Sequence, residues 1–237
     1  MRRTDLVAGG GPAAAELVEM IRRDLRDAAD QDRAPKMRAY MKSTMPYLGV
    51  PVPVTRRMTR AAAAASPPVD LTDLIAAAGD LWRSAQFREE RYAATDLAGL
   101  QLASGRLEML PFCREMIVTG AWWDHVDAVS HLVGAILVAH PAAIEPVLHQ
   151  WSTAADRWLR RASIISQLGL RDRTNSTLLA AVITPNLTDR EFFVRKAIGW
   201  ALRDYARTDP RWVSQFVVQH DAVISPLSRR EALRHLG

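Results

Sequence analysis

Apolar positions recur at helical three- and four-residue intervals along most of the chain. Alternating β-branched runs are short, and the Asn-Gly and Asp-Gly turns of tight hairpins are absent. The pattern therefore predicts an all-α protein. Prolines with Ser, Thr or Asp punctuate it at "SPPVD" (66–70), "HPAAIEP" (140–146), "TPNLTD" (184–189), "TDPRW" (208–212) and "SPLSRR" (225–230). Such residues suit helix starts, because proline is tolerated in the first turn and a short polar side chain can cap it. The stretch "GVPVPVT" at 49–55 reads as a rigid loop, since a residue before proline is pushed toward extended geometry.

The pattern also has a long period. Aromatics that open helical segments fall at Phe87, Trp123, Trp158 and Phe193, at intervals of 36, 35 and 35 residues. The segments share a form: "FREERYAAT", "WDHVDAVSH", "WLRRASIIS" and "FVRKAIGWA", with an echo in "LSRREALRH" from Leu227. Each period has room for two helices and two turns. That spacing predicts a HEAT-like helical solenoid, one repeat domain over residues 1–237 with about the first 15 frayed. Such a solenoid curves, and a basic concave face could cradle a long ligand.

Helical faces sharpen the picture. Over 122–137, Trp122, Val126, Val129, Val133 and Ile136 form one apolar stripe, which places Trp122 in the core. Trp123 and Asp127, four apart, share a different face that Ser130 joins. Trp123 on that face either packs on a neighbouring helix or meets a ligand. Over 158–168, Trp158, Ala162, Ile164, Ile165 and Leu168 make an apolar arc that includes Arg161. A guanidinium there needs an anion, either Asp127 or another acid, or a ligand. Over 192–206, Phe193, Ala197, Ala201 and Tyr205 line one side, and Lys196, Trp200 and Arg203 another. Lys196 follows Arg161 by one period, so repeat geometry predicts that these side chains share neighbouring ridges.

Composition narrows the classes. Net charge is +5, and all 31 basic residues except Lys36, Lys42 and Lys196 are arginine. The planar arginine fork suits phosphate, so the balance is compatible with nucleic acid. No apolar run has the roughly 18–20 residues that span a bilayer, and the basic N-terminus lacks a secretory apolar core. Cys113, the one cysteine, excludes an internal disulfide, fits a cytoplasmic setting, and reads as a buried small hydrophobe. The six histidines show no metal-ligand spacing.

The blocks "MRAYMKSTMPYLGVPVP", "GAWWDHVDAV", "WLRRASIISQL" and "EFFVRKAIGWALRDYART" resemble those of the AlkD-like DNA alkylation repair family, from about Arg38 to Leu236. The resemblance implies HEAT-like repeats and a monofunctional glycosylase excising N3- or N7-alkylated purines from duplex DNA. It implies no metal or other cofactor, and a monomer is expected. By matching residues it puts the key acid at Asp127, the lesion-facing tryptophans at Trp123 and Trp200, and a supporting arginine at Arg161. It puts a phosphate contact at Arg203 and a cleft-lining aromatic at Tyr40. Lys196, on the same face as Arg203, is a further DNA-binding candidate. Pro51 and Gly169 depart from the family pattern, which has glutamine and lysine there as DNA contacts. An ionised Asp127 would stabilise oxocarbenium character on the sugar and position water. Arg161 is expected to lower its pKa. The competing reading is a non-catalytic repeat module that binds damaged or branched DNA, or a protein partner.

Overall fold

The computed structural model describes residues 11–236, and among them all regular structure is helical, with no strand. Two compact units meet in sequence at Ser104 and Gly105. The first begins with α1 (Pro12–Asp27), which starts inside the segment expected to be frayed; residues 1–10 lie outside the described residues. Pro12 occupies the first turn, where its missing N–H costs nothing. Leu17, Val18, Ile21 and Leu25 then give α1 one buried face. It is followed by α2 (Ala34–Met41), α3 (Val52–Ala65), α4 (Leu71–Arg83) and α5 (Arg88–Ala98), with α5 packed against α1, α3 and α4. The segment 49–55 is not all loop, because α3 begins at Val52. Pro51 is its extended N-cap and Pro53 lies in its first turn, where no acceptor awaits an N–H.

What holds the loop before α3 is Glu89, buried on α5. Its carboxylate accepts the backbone N–H groups of Leu48 (3.0 Å), Gly49 (2.8 Å) and Val50 (3.2 Å). Burial pushes this carboxyl above the usual range, and the three amides pull it back only in part. Gly49 has φ +91°, and a β-carbon there would run into the Asp30 carbonyl, so the loop requires glycine.

The second unit comprises α6 (Leu110–Gly120), α7 (Trp123–Ala139), α8 (Pro141–Ser152), α9 (Arg157–Ile165), α10 (Ser176–Ile183), α11 (Phe192–Tyr205), α12 (Pro210–Gln219) and α13 (Pro226–Ala232). Alternate helices form a row: α7 packs on α9, α9 on α11, and α11 on α13. The flanking helices α8, α10 and α12 fill the intervals. Side chains cap two starts that the punctuation predicts, Asp209 on α12 and Ser225 on α13, and two that it does not mark, Asp156 on α9 and Asn175 on α10. The Cys113 thiol is buried in α6, which pushes its pKa up to about 12 and leaves it a small hydrophobe.

The 35-residue period has a physical cause at the helix starts. Trp122, Trp158 and Phe193 form one aromatic cluster, with ring centroids 6.1, 5.5 and 5.1 Å apart. The rung from α7 is thus Trp122, its extended N-cap, and not Trp123. Trp122 is only half-buried, while Val126, Val129, Val133 and Ile136 are fully buried as the wheel predicts. Ser130 is buried too, its hydroxyl donating to the Val126 carbonyl (2.7 Å), so it does not share an open face with Trp123.

Two glycines sit where helices approach closely. A β-carbon at Gly134 on α7 would strike the carbonyl oxygen of Ser166 just after α9. One at Gly199 on α11 would lie 2.9 Å from the Ser228 carbonyl of α13. Glycine in a free helix interior is about 0.5–1 kcal/mol worse than alanine. At Gly134 the sign reverses: Gly134→Ala should lose roughly 1–3 kcal/mol by overpacking, read as a lower urea midpoint. A variant as stable as the parent would show that the helices do not cross there.

Candidate functional site

The acid and the arginine singled out by sequence meet in the row of alternate helices. Arg161 on α9 is 4 % exposed. Its Nε donates to Asp127 Oδ1 at 2.7 Å and its Nη2 to Oδ2 at 2.8 Å. Its Nη1 donates to the Phe193 carbonyl on α11 at 2.5 Å. One guanidinium therefore ties α7, α9 and α11, and its fork matches a carboxylate geometry that lysine could not. The anion required for a buried arginine comes from the protein itself.

The expectation of a lowered Asp127 pKa is corrected. Burial raises it, the Arg161 hydrogen bonds and charge pull it down only in part, and Asp124 nearby adds a further upward push. The two-point pairing still suits the ionised form. Its side chain keeps 14 % exposure, and each oxygen retains a lone pair beyond its bond to Arg161.

Trp123 is the first residue of α7, one turn before Asp127 on the same face and outside the aromatic cluster. Trp200 on α11 lies against Arg161, whose guanidinium carbon is 5.9 Å from the ring centroid. Both tryptophans are half-buried. Asp127, Arg161 and Trp200 are thus linked by direct contacts, with Trp123 one helical turn away on α7.

Lys196 and Arg203 converge elsewhere. Lys196 Nζ lies 3.1 Å from Glu231 Oε1, and Arg203 Nη1 donates to Glu231 Oε2 at 2.8 Å. Glu231, on α13, was not legible as part of this surface; only its place within the final repeat echo hinted at it. Tyr40 belongs to the first unit, near the end of α2, and is 79 % exposed. The two departures have local reasons. Pro51 caps α3. Gly169 has φ +79°, which lysine would adopt only with strain, and its N–H donates to Asp204 Oδ2 at 2.7 Å. Among the described residues, no group of three or more His, Cys, Asp or Glu could hold a metal ion, and no helix is long and apolar enough to cross a membrane.

Comparison with known proteins agrees with this arrangement of helices. A predicted DNA alkylation repair enzyme from Enterococcus faecalis superposes with a TM-score of 0.78 at 31% identity, covering 88% of this chain and 97% of that one. The smu.31 structure from Streptococcus mutans UA159 shares the fold with a TM-score of 0.63 at 16% identity, over 92% of this chain and 98% of that one. No curated protein gives a significant match. The family model described as DNA alkylation repair enzyme matches residues 21–236, and the chain belongs to that family.

Proposed function

We propose that this protein is a monofunctional DNA glycosylase that releases positively charged N3- and N7-alkylated purines from duplex DNA. The reading rests on one observation above all: a carboxylate, Asp127, is held in place by a buried arginine while still reachable from outside. Pairing with Arg161 accounts for the acid structurally, but an acid is a poor choice for gripping phosphate, so a partly exposed carboxylate one turn from Trp123 favours chemistry over simple DNA binding. An alkylated purine is a cation and leaves as a neutral base without a general acid. As the glycosidic bond breaks, positive charge builds on the deoxyribose. Asp127 faces that charge and orients the attacking water. Arg161 gives a third N–H to the Phe193 carbonyl and so helps fix the carboxylate in space. Trp123 and Trp200 offer ring faces to the cationic base, each contributing about 0.5–2 kcal/mol. Lys196 and Arg203 are the proposed contacts to the DNA backbone, and Tyr40 is a further proposed DNA-binding residue.

Asp127→Asn keeps the shape and removes the charge. Release of 7-methylguanine from methylated duplex should fall by roughly a hundredfold or more. Affinity for the duplex should hold or tighten. Near-normal release would mean the acid is misassigned, and binding with no release even by the parent chain would favour the non-catalytic module.

The raised pKa of Asp127 fixes the sign of the acid limb. The active form is ionised, so release is lost as pH falls through the folded-state value. That limb should sit above the roughly 3.9 of an ordinary aspartate. A single-turnover pH profile that stays flat down to that value would contradict the assignment.

A panel of defined duplexes tests the charge argument. The cationic lesions 3-methyladenine and 7-methylguanine should be released, while uracil, hypoxanthine and 8-oxoguanine remain. Trp123→Ala and Trp200→Ala should each slow release by less than Asp127→Asn does. Efficient release of a neutral base would overturn discrimination by charge.

A further inference from the structure

The carboxylate of Glu231 stands between the two cations that face α13. Lys196 and Arg203 are seven residues apart on α11, so they project from the same side two turns apart. Each reaches a different oxygen of one carboxylate. The result is a two-pronged anion clamp that already holds an anion. Glu231 cannot simply swing away. Its β-carbon packs where Gly199 leaves room, and α13 is pinned beside it by the Ser228 hydroxyl donating to the Arg195 carbonyl at 2.9 Å. Only 13 % of the Glu231 side chain is exposed, against 38 % of Lys196 and 21 % of Arg203.

We propose that Glu231 is an internal stand-in for a DNA phosphate, which holds Lys196 and Arg203 in position and competes with the backbone for them. This rests on the reading of Lys196 and Arg203 as phosphate contacts. The two cations share the charge of one fixed acid, so an arriving phosphate meets about one positive charge where composition promises two. Both retain unused donors, since Arg carries five N–H groups and Lys three. Phosphate can therefore bind beside Glu231, but against its charge. The device holds down affinity for undamaged DNA, which an enzyme searching a long polymer must release many times.

The test measures binding of a short fluorescent undamaged duplex across a salt series. Glu231→Gln preserves shape and packing, and Glu231→Ala keeps the β-carbon against Gly199. Both should bind roughly three- to tenfold more tightly at low salt, with a salt slope steeper by about one unit, as one more phosphate contact implies. In an Arg203→Ala, Lys196→Ala background, Glu231→Gln should change neither quantity. A merely structural role for Glu231 would lower the melting temperature without steepening the salt slope. Unchanged or weaker binding by both variants would overturn the proposal. If instead Lys196→Ala with Arg203→Ala leaves parental DNA affinity untouched, the assignment of those two residues fails first, and the two failures are distinct.

Discussion

The contact between Asp127 and Arg161 governs the second unit, because one side chain joins three helices of a row. Arg161 reaches back to α7 through two donors and forward to α11 through a third. Taking both charges out of water is costly, and a buried pair of this kind need not add net stability. Losing either partner alone, however, strands a charge, at a cost of about 3–5 kcal/mol. The pair therefore acts as a latch that fixes the register of α7, α9 and α11. The same latch orients the carboxylate on which the proposed chemistry depends, so architecture and site share one constraint.

Around that latch, apolar contacts supply the cohesion. The cluster of Trp122, Trp158 and Phe193 caps the row at its helix starts. Gly134 and Gly199 let the same helices approach closely further along. The close approach of α11 and α13 has an electrostatic consequence, since it brings an acid within reach of Lys196 and Arg203. Two cations that look free on a helical wheel are partnered in the fold. Electrostatic reach toward DNA thus depends on packing as much as on net charge. In the first unit the corresponding device is Glu89, which gathers three backbone amides and fixes the loop ahead of α3.

Much of this was legible in the sequence. The helical class follows from apolar periodicity and the lack of hairpin turns, which are local properties. The aromatic spacing revealed the repeating helix starts, and Arg161 in an apolar arc demanded an anion, which proved to be Asp127. Resemblance to a repair family singled out Trp123, Asp127 and Trp200 as candidates, and the family match bears out the recognition of the family. The punctuation of Pro with Asp or Ser located α12 and α13 within a residue.

Other features were settled only by the fold. A wheel assigns each residue an angle, but not a neighbour, so Trp122 and Trp123 were interchanged in the aromatic period. The N-cap leaves the helix axis, and that swings Trp122 into the cluster. The Asp127 pKa had to wait for burial, because sequence names the arginine that lowers it but not the desolvation that raises it. Glu89 and Glu231 look like ordinary surface acids in a linear reading. Their partners lie about 40 residues away for Glu89 and about 30 for Glu231. Sequence determined the helices and which side chains share a helical face, since propensity and periodicity act over a few residues. Which charges meet, and which are withdrawn from solvent, was decided by tertiary packing, because desolvation and ion pairing depend on distances that only the folded chain defines.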